Sequence, residues 1–182
     1  MSSLNMQEVG PEELDDFLRY LDEHLRENGR EGPLFMPLSA SQLQDGSILR
    51  SKFEGNLGKK VGLKGWRKLW LARKDGGRIA GHIDIRGRME VNAEHRVLLG
   101  MGVDKAYRRM NIGQDMLLFV IDYCQKHPDI AWLDLEVLAE NIPAKRLYQK
   151  LNFQEVGTVE DMFRIGGESY GYTSMTLKVE SI

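Results

Sequence analysis

The stretch YRRMNIGQDML at residues 107–117 sets two guanidinium groups, Arg108 and Arg109, just ahead of Gly113 and an apolar, helix-forming run. An anion is what such a stretch could hold. The first amides of a helix have no intrahelical acceptor, and with the helix dipole they make a donor cluster for negative charge. The arginines add charge of a kind that suits phosphate or pyrophosphate. A plain surface turn containing arginines is the alternative.

A second stretch, LDLEVLAENIPAKRLYQKLNF, places Asn141 as a helix N-cap with Pro143 in the first turn and Leu147 and Tyr148 on the next. It follows directly on the strand-like run AWLDLEVLA. Alternation there puts Trp132, Asp134 and Glu136 on one face and Leu133, Leu135 and Val137 on the other.

Periodicity gives the elements that must carry these residues. Leu14, Phe17, Leu18, Leu21 and Leu25 recur at helical spacing in PEELDDFLRYLDEHLREN, so an amphipathic helix is predicted, with Pro11 and acidic residues in its first turn. GREGPLFMPLS reads as a loop broken by Gly29, Gly32, Pro33 and Pro37, whose Leu34, Phe35 and Met36 pack beneath the fold or line a pocket. Two strand-like runs flank KDGG, a hairpin turn by its chemistry, and HRVLLGMGV is a third strand too apolar for exposure on both faces. A helix over residues 112–127 stops at Pro128; NIPAKRLYQKL is a short helix and YGYTSMTLKV a closing strand. This order predicts an α/β (α+β mixed) fold, a mixed sheet with helices on its faces.

Composition narrows the function classes. A chain of 182 residues suits one domain over residues 1–182, and 42% hydrophobic with 29% charged residues is the balance of a soluble globular protein. A net charge of −2 provides no global positive field for sequence-independent nucleic-acid binding. The single cysteine, Cys124, has no internal disulfide partner and no clustered histidines, so no metal site is expected and a reduced compartment fits. No apolar run approaches the ~20 residues that cross a bilayer, and no basic-then-apolar leader opens the chain. A cytoplasmic protein with no membrane partner is expected.

Together the two motif stretches resemble the signatures of the GNAT superfamily of N-acetyltransferases. The first signature, Arg or Gln followed by two residues, Gly, one residue and Gly or Ala, after a strand ending in a Val-Asp type pair, is similar to Val103, Asp104, Arg108, Ile112 and Gly113 in VDKAYRRMNIGQDML. The second, Asn-x-x-Ala-x-x-Leu-Tyr ending in Gly-Phe, appears as Asn141, Ala144, Leu147, Tyr148 and Phe153. Asn111 and Asn152 stand where the signatures have glycine, and asparagine is the non-glycine residue that most readily adopts a left-handed backbone.

The resemblance implies a central, mostly antiparallel mixed sheet. In it the strands ending at Val103 and beginning near Trp132 splay apart, so that the pantetheine arm of acetyl-CoA lies between them. It implies a pyrophosphate seat on the amides of Arg108, Arg109, Met110, Asn111, Ile112, Gly113 and Gln114. Met101, Gly102 and Val103 would offer backbone groups to the pantetheine and thioester, and Asn141 a side-chain amide to the cofactor. It also implies an acceptor site built around residues 34–38 and 163–172, where Tyr170 and Tyr172 could flank an amine or peptide.

Acetyl transfer needs a neutral amine, yet a lysine amine titrates near 10.4 and an α-amino group near 8. A base must take the proton, and a protonated tyrosine can serve the thiolate leaving group. The resemblance places Tyr148 as that acid. Glu136 has the spacing to Asn141 and Tyr148 of the catalytic glutamate in the branch resembling ribosomal-protein N-terminal acetyltransferases, where it acts through water.

Each nomination has a plain competitor. Tyr148 could be helix packing, Glu136 a salt-bridge partner, and His95 and Asp104 are lesser candidates. Cys124 reads as inert core. A non-catalytic acyl-CoA-binding relative of the same fold is the second functional reading. The third is a nucleic-acid module using KKVGLKGWRKLWLARK, with Trp66 and Trp70 as stacking platforms, set against basic residues on an exposed strand face and tryptophans in the core. The acceptor would be a small-molecule or peptide amine, with no nucleic acid expected, and the protein a monomer or homodimer.

Overall fold

A computed structural model describes residues 4–30, 34–44, 46–74 and 76–180. Asp75 of the KDGG turn and Gly32 and Pro33 of the expected loop lie outside the described residues. The strands are β1 (Asn5–Glu8), β2 (Arg67–Lys74), β3 (Arg78–Gly87), β4 (Arg96–Val103), β5 (Trp132–Leu138), β6 (Gln154–Ile165) and β7 (Glu168–Lys178). The helices are α1 (Leu14–Leu25), α2 (Ala40–Gln44), α3 (Gly46–Phe53), α4 (Ile112–Gln125) and α5 (Ile142–Lys150). All strands join one sheet in the order β1-β2-β3-β4-β5-β7-β6, antiparallel throughout except for β4 against β5. Among the described residues no helix is long and apolar enough to cross a membrane.

The predicted elements form where their periodicity places them. Leu14, Phe17, Leu21 and Leu25 are the buried stripe of α1. Lys74 accepts from the Gly77 amide at 3.1 Å in the β2–β3 turn. There Gly76 and Gly77 take φ of +79° and +102°, conformations nearly reserved for glycine. β1, α2, α3 and β6 arise from segments without a clear periodic signal, and α3 is anchored by buried Leu49 and Phe53.

The sheet separates two apolar layers. Ala72, Ile83, Ile85, Leu99, Leu133 and Leu135 pack with Met116, Leu117 and Val120 of α4 on one face. Leu69 and Leu71 pack with Phe17 and Leu21 of α1 and Leu49 and Phe53 of α3 on the other. Each such side chain contributes roughly 1.5–3 kcal/mol on full burial. Trp66 and Trp70 are each 3% exposed, so neither is a stacking platform. The expectation of basic residues confined to an exposed strand face fails at Arg67, which is buried. Alternation from Leu69 and Leu71 carries Arg67 beneath α3, over the Phe53 ring.

Candidate active site

β4 and β5 part company soon after they meet. Arg96, Val97 and Leu98 pair with Trp132, Leu133 and Asp134, and the parallel ladder ends there. β4 stays paired with β3 up to Val103 and β5 with β7 up to Leu138. The Asp104 amide bonds the Ala80 carbonyl at 3.0 Å. Ladder alternation from that bond turns the backbone of Gly100 and Gly102 toward β3 and that of Met101 and Val103 into the gap. Gly102, to which the resemblance assigns a backbone role, is paired with His82 of β3 and leaves room for the histidines beside it. A Cβ there would lie 2.6 Å from both His24 Nε2 and His82 Cε1.

The gap opens into a cavity of 890 Å³ that passes through the sheet. Gly113, Leu147 and Tyr148 border it on the α4/α5 side, and His24, Phe35, Lys52 and Arg67 on the α1/α3 side. At the end of β4, Asp104 caps a single 3-10 turn, Lys105–Tyr107, by accepting from the Ala106 amide at 2.9 Å. Arg109 and Asn111 then both take φ of +63°, a conformation that costs an ordinary L-residue roughly 1–2 kcal/mol and asparagine less. Asn152 likewise sits at +66°. Both asparagines thus hold the left-handed turns that glycine would otherwise supply.

The Asn111 carbonyl accepts from the Asp115 amide at 3.0 Å and opens α4. The amides of Ile112, Gly113 and Gln114 are therefore left without intrahelical acceptors at the cavity wall. Gly113 lets this helix end sit against β4 and α5, since a Cβ would come within 2.9 Å of Leu147 Cδ2 and 3.3 Å of Met101 Cε. Arg109 borders the cavity with no ion-pair partner among the described residues. Arg108 is engaged: it donates to Glu27 Oε2 at 2.8 Å and to the Val103 carbonyl at 3.3 Å. Met110 is 47% exposed and off the cavity wall, so only its backbone belongs to the turn. Gln114 Oε1 accepts from Lys150 at 2.6 Å. Asn141 Oδ1 accepts from the Ala144 amide at 3.3 Å, capping α5 and leaving the NH₂ group to the cavity.

The two carboxylates on the α1/α3 face of β5 have different fates. Asp134 accepts from Arg96 at 2.5 and 2.8 Å, from Arg88 at 3.0 and 3.1 Å and from Thr176 at 2.7 Å. Burial works to raise its pKa, and the bonds from Arg96, Thr176 and Arg88 outweigh that and hold it below the usual carboxylate range. Glu136 borders the cavity, exposed, without an ion pair among the described residues. Tyr148 is 7% exposed, and its ring sits 5.7 Å from that of Phe153. Burial, with Tyr172 adding to it, pushes the Tyr148 hydroxyl well above the ordinary tyrosine range, so it stays protonated. Burial first and Glu136 second raise Tyr172 to about 12.

Several cavity residues escaped the sequence reading. His24 and His82 line the cavity and form a ring cluster with Tyr20, which is off the cavity wall, with His82 Nδ1 3.5 Å from the Tyr20 hydroxyl. Burial, reinforced by Arg108, pulls His24 to about 4; burial and the neighbouring His24 pull His82 to about 3. Both are neutral at pH 7 and weak bases. Lys52, Arg67, Asp84 and Arg86 also line the cavity. The signal was available in IAGHIDIRG, where His82, Asp84 and Arg86 recur at every second residue of a strand whose other face is apolar. Of the lesser candidates, His95 is exposed and serves through its carbonyl, which accepts from Ala131 and Trp132. Cys124 is fully buried, and burial pushes its thiol up to about 12.

A mixed sheet opened at its one parallel pair, with a helix N-terminus at the end of the first strand, is the architecture implied by the two signatures. Residues 46–153, more than half of the chain, match the acetyltransferase (GNAT) family, and the chain belongs to that family. It is similar to the L-amino acid N-acetyltransferase AaaT of Escherichia coli, at 24% identity over 82 residues, 45% of this chain and 51% of that protein. The matched stretch thus spans about half the length of that curated relative. Among solved structures, a GCN5-related N-acetyltransferase from Kribbella flavida aligns with a TM-score of 0.76 at 16% identity, over 96% of this chain and 97% of the other. YncA from Salmonella typhimurium, solved with its cofactor acetyl-CoA, aligns with a TM-score of 0.72 at 12% identity, over 100% and 96% of the two chains.

Proposed function

We propose that this protein is an acetyl-CoA-dependent N-acetyltransferase acting on a primary amine by direct attack within a ternary complex. The observation that carries this reading is the β4–β5 gap ending at the left-handed turn of Arg109 and Asn111 and the bare N-terminus of α4. A pyrophosphate fits that end: amides from 109 to 114, the dipole of α4 and the unpaired Arg109 all present positive potential to one spot. The backbone groups of Met101 and Val103 and the Asn141 amide suit an extended pantetheine arm.

Acetyl-CoA would supply an acetyl group activated as a thioester, so that the amide bond forms as the carbon–sulfur bond breaks. Glu136, the carboxylate at the gap that no cation holds, takes the amine proton through a water. Tyr148 keeps its proton and donates a hydrogen bond where the thiolate develops. An alkyl thiol titrates near 8.5, below the raised Tyr148 hydroxyl, so this donation stabilises the thiolate without full proton transfer. His24 and His82 are buried, so a proton taken by either would be held as a charge out of water, whereas Glu136 is exposed at the gap and can pass the proton to solvent; Glu136 is therefore the base in this reading.

Thiol release from acetyl-CoA in the presence of a panel of primary amines tests the reading. Amine-dependent release that saturates in both substrates supports it. Tight acetyl-CoA binding with no release from any amine class would favour a non-catalytic acyl-CoA-binding relative.

A further inference from the structure

On the α1/α3 side of the cavity, β2, β3 and α3 bring three cations to one wall. Arg67 and Arg86 are register partners across β2 and β3, and Lys52 comes from the last turn of α3. The carboxylate among them is Asp84, with Arg67 Nε and Arg86 Nη1 each 3.4 Å from its Oδ2. Three cations against one carboxylate leave an excess of two positive charges on a cavity wall.

Arg67 is the most informative member. Its side chain is 9% exposed, its guanidinium lies 4.4 Å over the Phe53 ring, and its Nε has no hydrogen-bond partner among the described residues. A buried guanidinium carries five donors, and leaving them unmade is unfavourable. Asp84 lies too far for a good bond to it. The strand opposite is cut away to match: at Gly100 a Cβ would fall 2.7 Å from Asp84 Oδ1 and 3.5 Å from Arg86 Nη1. Lys52 has no ion pair within bonding distance among the described residues, and burial, followed by repulsion from Arg86 and Arg67, lowers its pKa. A second anion is the partner this wall lacks.

Glu136 projects from β5 on this same side of the sheet. The cavity must hold the thioester end and the acceptor together, and 890 Å³ is within the usual range for a small-molecule site. Resting on the acetyltransferase reading above, we infer that the acceptor is a small amine bearing an anionic group, a carboxylate or a phosphorus oxyanion. That group docks on Arg67, Arg86 and Lys52 while the amine faces the gap beside Glu136. Arginine forks bind such planar or tetrahedral oxyanions through paired bonds.

Matched probes test this. L-methionine is compared with L-methioninamide, and 2-aminoethylphosphonate with ethanolamine, by thiol release and by calorimetry on the protein with and without desulfo-CoA. At least tenfold higher kcat/KM, or heat of binding, for an anionic member over its neutral twin is expected. The pair with the larger ratio identifies carboxylate or phosphorus oxyanion. Arg67 is buried and packs over the Phe53 ring, so the variants are Lys52→Met and Arg86→Gln, the latter with its thermal melt taken alongside because it also removes the bond from Arg86 to Asp84. Each should raise the KM of the anionic amine about 10- to 100-fold, as expected for a lost charge-assisted bond. The acetyl-CoA dissociation constant should move less than threefold, and Arg86→Lys should recover part of the loss. Equal use or equal binding of the twins overturns the inference, and thiol release with neutral amines would then leave the acetyltransferase reading standing. Weakened acetyl-CoA binding in Arg86→Gln would assign the cluster to the cofactor and overturn it too. If acetyl-CoA does not bind at all, the underlying reading fails, while calorimetry with the anionic probes still decides the site.

Discussion

Removing one oxygen from Tyr148 should separate catalysis from stability. The Tyr148 hydroxyl makes no hydrogen bond with any described residue, while its ring is buried against Phe153. Tyr148→Phe keeps the ring and deletes no internal bond, so stability should change by no more than about 0.5 kcal/mol, or roughly 1–2 °C in Tm for a chain of this size. The rate should behave otherwise. General acid groups contribute roughly 10²–10⁴-fold. The raised Tyr148 hydroxyl donates a hydrogen bond to a developing thiolate without yielding its proton, which places the effect near the lower limit, about 100-fold or roughly 2.7 kcal/mol of barrier. Thermal melting, acetyl-CoA calorimetry and thiol release on one preparation give all three quantities. A kcat within threefold of wild type would refute the role of Tyr148. A Tm drop of 6 °C or more would refute the packing argument.

Glu136→Gln should lower kcat/KM about 100-fold at pH 7, and the deficit should shrink as pH rises toward the amine's own pKa, since a neutral amine needs no base; a pH-independent deficit would argue against proton removal by Glu136. Asp134→Ala should instead cost about 3 kcal/mol, roughly 6–12 °C in Tm, because it strands the Arg96 cation and leaves Arg88 with Glu90 alone; thermal melting checks this. Acid should destabilise the fold through His24 and His82. Their folded pKa values, about 4 and about 3, lie below the unfolded value near 6.5. The unfolded chain therefore binds protons first as pH falls, so stability is full above about 6.5 and is lost from there toward 4, by on the order of 1–2 kcal/mol per histidine at pH 5. Urea midpoints at pH 7 and 5 should shift less in the His24→Gln, His82→Gln double variant. At Asn111, with φ of +63°, glycine should keep acetyl-CoA affinity or improve it, whereas valine should cost stability and weaken binding, read by melting and calorimetry on both variants.

The motif-bearing half of the fold was legible because its signals are local. A strand ending at Val103, a turn needing left-handed residues, and a helix opening at Ile112 follow from side-chain types within a dozen positions, and Asn111 and Asn152 adopt the backbone that their chemistry allows. The splay follows from the resemblance, since nothing in β4 or β5 alone announces that their pairing ends at Leu98 and Asp134. β6 was missed because it is an edge strand, largely exposed and without apolar alternation. β1 pairs over only four residues, and α2 and α3 are too short for periodicity to separate them from loop. The cationic wall depends on register: Arg67 meets Arg86 only because β2 and β3 pair as they do, and Gly100 and Gly102 read as ordinary small residues until the side chains they spare are placed around them. Of the segments expected around the acceptor, Phe35, Met36, Pro37 and Tyr172 border the cavity and Leu34, Leu38 and Tyr170 do not, while the cations beside Asp84 come from β2, β3 and α3.

The most direct test of the central claim is a calorimetric titration of the protein with acetyl-CoA, with desulfo-CoA and NADH as controls, repeated on Arg109→Glu. Arg109 is the better choice than Arg108, whose reversal would also set a second carboxylate against Glu27. Stoichiometric binding of both CoA ligands but not NADH, weakened at least tenfold by the reversal, is the predicted result. No binding to the wild-type protein, or binding indifferent to Arg109→Glu, would contradict the pyrophosphate seat at the head of α4.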